Sequence, residues 1–149
     1  MYPEAQTLEL VEVGENAREH YLIPPAARAW RDLRAAALSD GIPLTVVSAF
    51  RTLERQADIV RGKLACGVSF ETLFAASAPP GYSEHHTGRA LDVTAPGARE
   101  LEVEFERTPA FEWLARNARR FGFTLSFPRG NRYGFIYEPW HWCFRQADA

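Results

Sequence analysis

Two short segments set the terms for any fold this chain can adopt. Ser83-Glu84-His85-His86-Thr87-Gly88-Arg89-Ala90-Leu91-Asp92 and, far along the sequence, Glu138-Pro139-Trp140-His141 carry imidazoles and carboxylates in the proportions of a hydrolytic zinc site. A catalytic zinc takes about three protein ligands and keeps one position open. Two imidazoles and one carboxylate meet that need, so the fold must bring the segments side by side. Gly88 lets the chain turn between His85 and Asp92. The alternation from Arg89 to Thr94 puts Ala90 and Asp92 on one face of a strand and Leu91 and Val93 on the other. Pro139 excludes a helix through Glu138 and His141, so the chain bends there and Glu138 can approach from the side as a general base.

The rest of the chain supplies the scaffold. Pro24-Pro25 opens a helix with Ala27, Trp30, Leu33, Ala36 and Ala37 at helical spacing, and Asp40-Gly41 ends it. Ile42 to Phe50 reads as a buried strand, followed by a helix from Thr52 to about Lys63, which leaves Arg51 at the junction. A short helix is expected over Phe70–Ala76, and Pro79-Pro80-Gly81 forces a loop before the first segment. Thr108-Pro109 opens another helix with Phe111, Leu114, Ala115 and Ala118 on its apolar side, closed by Phe121-Gly122. Strands are expected around Phe123–Phe127 and Tyr133–Tyr137. Helices and strands intermix without regular βαβ alternation, which predicts an α+β fold: a single domain over 1–149, with an antiparallel central sheet flanked by helices.

Composition removes several function classes. A formal charge of -2 offers no electrostatic case for nucleic acid, and no stretch approaches the roughly 20 apolar residues of a membrane span. The start Met1-Tyr2-Pro3-Glu4 lacks the basic and apolar runs of a signal peptide. Cys66 and Cys143 are too few for a disulfide scaffold, and their pairing and the redox compartment stay open. Cys143 reads as a small core residue, Trp140 and Trp142 as core, Glu100–Glu106 as a solvated loop or edge, and His20 as a surface residue.

Three motifs now stand in order: Ser48-Ala49-Phe50-Arg51 with Gln56; Ser83, His85, Gly88, Ala90 and Asp92; and Glu138 to His141. Together they resemble the zinc D-alanyl-D-alanine carboxypeptidase family, the cell-wall metallopeptidases grouped with lysostaphin-type enzymes and the hedgehog signalling domain. The resemblance covers roughly Tyr21 to Phe144, and a catalytic core of about 21–145 is expected. It implies His85, Asp92 and His141 as zinc ligands, with one zinc per chain. Glu138 is implied as the base and Arg51 as the substrate-facing cation, whose guanidinium meets an oxyanion or a terminal carboxylate. Gln56 and Ser83 are implied as residues that hold the peptide. His86 competes with His85 on strand parity alone, and only the motif separates them; His86 then reads as groove-lining or solvent-facing. The chain departs from the family at Phe50, where Tyr is usual, and in a short Arg129–Gly134 turn.

The activity the resemblance implies is removal of terminal D-alanine from peptidoglycan stem peptides by Glu-assisted attack of zinc-bound water, with D,D or L,D preference open. Two alternatives stand beside it: an endolysin-type endopeptidase, and a zinc-containing module that binds cell-wall peptide without cutting it. A monomer working in the cell envelope or periplasm is expected. A cytoplasmic or phage-lysin origin is the alternative, and other divalent ions are possible in a His/Asp site.

Overall fold

The computed structural model describes residues 1–14 and 16–145. After a hairpin of β1 (Glu9–Val13) and β2 (Glu19–Leu22), helix α1 runs over Pro24–Ser39. Its two prolines occupy the first turn, where a missing N–H costs nothing. Strand β3 (Thr45–Ser48), helices α2 (Leu53–Ala65) and α3 (Phe70–Ala76), strand β4 (Ala90–Thr94), helix α4 (Pro109–Asn117) and strands β5 (Phe123–Leu125) and β6 (His141–Phe144) complete the order. The hydroxyls of Thr52, Ser69 and Thr108 accept the backbone N–H of Arg55, Thr72 and Phe111, which fixes the starts of α2, α3 and α4. Among the described residues no helix is long and apolar enough to cross a membrane.

The central sheet is antiparallel with strand order β3-β4-β6-β5. Its alternation divides the chemistry of the molecule. Leu91 pairs with Trp142, and both lie with Val93, Phe123 and Phe144 in the core beside Trp30 and Leu33 of α1 and Leu114 of α4. Trp30 meets Phe123 edge-on at 6.3 Å, and Phe123 meets Phe144 at 5.5 Å. Between them stand the other residues of the same strands, with Asp92 opposite both Ser48 and His141, and Ala90 opposite Cys143. An indole N–H of Trp113 donates to Asp40 at 2.8 Å and ties α4 to the end of α1.

Several expectations change. The strand read over Ile42–Phe50 is confined to Thr45–Ser48. The late helix ends at Asn117 and tightens into a 3-10 turn over Ala118–Phe121. Tyr133–Tyr137 is not a strand: the Ile136 N–H donates to the Ala75 carbonyl of α3, and Phe135 packs on Phe127 at 5.1 Å. The β1–β2 hairpin has no counterpart in the sequence reading. His20, expected at the surface, is 6% exposed, with its ring beside Gly14. Cys66 is exposed and Cys143 buried, and both are free thiols.

Candidate metal centre

Asp92 and His141 are cross-strand partners on β4 and β6, so the sheet register alone brings the two segments together. His85 comes from the 3-10 turn Glu84–Thr87 that leads into β4, and the Ser83 hydroxyl caps this turn by accepting the His85 N–H at 3.2 Å. Gly88 closes it at φ +69°, and a Cβ there would stand 2.8 Å from Ile23 Cγ2. Only glycine suits both the left-handed backbone and the close approach.

Asp92 Oδ1 lies 3.0 Å from His141 Nδ1 and 3.4 Å from His85 Nε2, and the three residues offer ligand atoms all within 4.8 Å of one another. Tetrahedral zinc with bonds of about 2.0–2.1 Å separates its ligand atoms by about 3.3 Å. The donor set and its spacing fit a zinc ion. Each imidazole is also held from behind. His85 Nδ1–H donates to the Ala49 carbonyl at 2.7 Å, and His141 Nε2–H donates to Glu84 at 2.9 Å.

The electrostatics favour a cation. Burial pushes the His85 imidazole down, toward the neutral form that binds metal. Burial also opposes charge on Asp92 and His141, but their mutual contacts win. The two imidazoles hold the Asp92 carboxyl well below the usual carboxylate range, and hydrogen bonds to Asp92 and Glu84 push His141 up to about 10. A field that favours a proton on His141 favours a divalent cation in the same place.

Glu138 stands at the edge of this cluster, its Oε2 3.8 Å from His141 Nδ1. Burial pushes its carboxyl up to about 7; His141 and Arg51 act against that rise and Asp92 adds to it. Arg51 approaches from the opposite segment, with Nη2 3.8 Å from Asp92 Oδ2. Its guanidinium is aimed by Gln56, which accepts from Nη1 at 2.7 Å, and by Ser48, which accepts from Nη2 at 2.9 Å. His85, Asp92, His141, Glu138, Arg51 and Gln56 line one cavity of about 350 Å³, with Ser83, Trp140 and Phe127 in its walls.

The structure gathers His85, Asp92, His141, Glu138, Arg51, Gln56 and Ser83 at this cavity. Gln56 is buried, and its amide is engaged at both ends, by Arg51 and by the Ala78 carbonyl, to which it donates at 2.7 Å. His86, expected at the groove or in solvent, is fully buried. Its Nδ1–H donates to the Arg51 carbonyl at 2.8 Å and its Nε2 accepts the Gly81 N–H at 3.1 Å, so it braces the loop before the site. The sequence reading also missed Glu84 and Phe127. Phe127 stacks beside His141 with centroids 4.7 Å apart, a contact that no local spacing announces.

A family model described as VanY: D-alanyl-D-alanine carboxypeptidase matches residues 19–147. A D-alanyl-D-alanine carboxypeptidase of Enterococcus faecalis (strain ATCC 700802 / V583) is 31% identical, with 99% of this chain and 56% of that protein covered. The solved structure of the LdcB LD-carboxypeptidase superposes with a TM-score of 0.83 at 30% identity, covering 95% of this chain and 69% of that one. A mutant of the vancomycin resistance D,D-pentapeptidase VanY from a VanB-type resistance cassette, in complex with Zn(II), gives a TM-score of 0.70 at 31% identity, covering 92% of this chain and 78% of that one. The chain spans about half the length of the curated relatives it matches.

Proposed function

The chain belongs to the VanY family of D-alanyl-D-alanine carboxypeptidases, and from that premise we propose a zinc-dependent carboxypeptidase that removes the terminal D-alanine from peptidoglycan stem peptides. The observation that carries the proposal is the meeting of three ligand atoms with an additional carboxylate and a guanidinium, each 3.8 Å from one of the ligand residues, in one cavity. The zinc found in a related VanY structure supports the choice of metal.

His85 through Nε2, His141 through Nδ1 and Asp92 through its carboxylate would hold one zinc ion per chain. When bound, zinc supplies Lewis acidity at this point, which polarises the scissile carbonyl and makes a water easier to deprotonate. Glu138 takes the proton from the attacking water. Its burial, which brings the carboxyl up to about 7, suits a group that must bind that proton and then release it to the departing amine of D-alanine. Arg51 keeps N–H donors beyond those spent on Gln56 and Ser48. It directs them at the carbonyl oxygen as charge develops there, or at the terminal carboxylate. Gln56 serves the peptide by holding Arg51, and the Ser83 hydroxyl has a proton to donate to the substrate backbone.

Two bonds fit this machinery. The family description favours a D,D bond, and the likeness to the LdcB LD-carboxypeptidase favours an L,D bond. Mass spectrometry of defined tetrapeptide and pentapeptide stems incubated with the zinc-loaded protein separates them. Loss of one D-alanine from the pentapeptide reports D,D cleavage, and loss from the tetrapeptide reports L,D cleavage. Stems of both lengths and cross-linked muropeptides all left whole would overturn the enzyme reading in favour of a binding module.

A further inference from the structure

The proposed chemistry leaves one buried carboxylate without a task. Glu84 is 6% exposed, immediately before His85, and it meets His141 at Nε2, the ring nitrogen that does not face Asp92. One of its oxygens accepts His141 Nε2–H at 2.9 Å, and the other is held by Arg145, whose guanidinium also donates to Ser126 Oγ at 3.2 Å. A carboxylate taken out of water is costly unless both oxygens are paired. Here the pairing has a directional consequence.

A neutral imidazole carries one proton and one lone pair, on different nitrogens. The Glu84 carboxylate can only accept, so the proton of His141 belongs on Nε2 and the lone pair on Nδ1, the nitrogen 3.0 Å from Asp92. His85 is set the opposite way: its Nδ1–H faces the Ala49 carbonyl, and Nε2 faces Asp92. Adjacent residues of one 3-10 turn thus reach the same centre from two sides, His85 directly and Glu84 through His141.

We infer that Glu84, anchored by Arg145, is a positioning residue that holds His141 in its Nε2–H tautomer and so presents Nδ1 to the metal. This rests on the metal site proposed above. Carboxylates behind histidine ligands raise ligand basicity, and their loss lowers metal affinity about 10- to 100-fold.

The test uses the zinc-loaded full chain with ¹⁵N-labelled histidine. Long-range ¹H–¹⁵N correlation spectra of the wild type are expected to show His141 protonated at Nε2 and His85 at Nδ1. In competition with a chromophoric chelator, Glu84→Ala is expected to bind zinc about 10- to 100-fold more weakly. Glu84→Gln, whose amide oxygen still accepts from Nε2–H, recovers most of that loss. A purely structural role would lower the melting temperature of both variants and leave the zinc affinity of the folded protein unchanged. His141 protonated at Nδ1 in the zinc-loaded wild type, or wild-type zinc affinity in folded Glu84→Ala, would overturn the inference alone. A wild type that takes up no zinc would overturn the metal site as well. If Glu84→Ala does not fold, Arg145→Ala, which removes the anchor of Glu84, decides by the same competition: weaker zinc binding is expected, and wild-type affinity would overturn the inference.

Discussion

The two faces of β4 and β6 are built from alternate residues of the same few positions, yet they do opposite work. Leu91, Val93, Trp142 and Phe144 face the core, where apolar area removed from water holds the sheet on α1 and α4. Asp92 and His141 stand between them, equally buried, and gather charge. Burying Leu91 contributes about 1.5–3 kcal/mol, whereas burying Asp92 costs free energy that its imidazole partners and the Arg51 guanidinium offset. The core face is therefore strict about volume and apolar character, and the polar face about charge and the placement of its partners. A sheet with one buried face would place such residues in solvent; here Gln56 of α2, Ala76 of α3, Phe127 and Glu138 line the cavity over them and make them a site.

The separation predicts which properties fail together. Asp92→Ala is expected to lose zinc and essentially all peptidase activity while keeping the circular dichroism of the fold, because it touches only the polar face. Co-loss of secondary structure would show that the two faces are not separable. Glu138→Ala is expected to retain one zinc per chain and lose activity by about 10²–10⁴-fold, checked by metal analysis beside turnover of a stem peptide. Zinc lost along with activity would make Glu138 a ligand.

On the opposite face, Leu91→Ala is expected to cost about 2–5 kcal/mol in chemical denaturation, with turnover per folded, zinc-loaded chain unchanged. At the junction between the faces, Gly88→Ala forces a side chain into a left-handed backbone position against Ile23, for a loss of about 1–3 kcal/mol. A weakened zinc affinity in that variant would show that the turn transmits strain to His85. The exposed Leu38 of α1 is the control: Leu38→Gln should change stability by less than about 0.5 kcal/mol.

Much of this arrangement was legible from local chemistry. Prolines and hydroxyl caps mark the starts of α1, α2, α3 and α4, and the alternation through Asp92 gives β4 and its faces. The convergence of His85, Asp92 and His141 was expected from motif resemblance, and the register of β4 on β6 is what physically produces it. What escaped the sequence depends on tertiary partners. The hairpin strand β1 pairs with a register shift between Leu10 and Glu12, so no clean alternation announces it. Tyr133–Tyr137 alternates like a strand because its aromatics pack on Phe127, while its backbone bonds to α3. His86 and Glu84 flank His85 in sequence, but their partners Gly81, Arg51, His141 and Arg145 come from other segments, so their roles exist only once those segments meet.

The polar face of the sheet is proposed to hold one zinc ion through His85, Asp92 and His141. Anomalous diffraction at the zinc edge from crystals of the zinc-loaded protein tests it directly. One strong peak per chain is expected, about 2.0–2.2 Å from His85 Nε2, His141 Nδ1 and an Asp92 carboxylate oxygen. A peak on Cys143 or Glu84, or none at this cluster while zinc binds elsewhere, would contradict it.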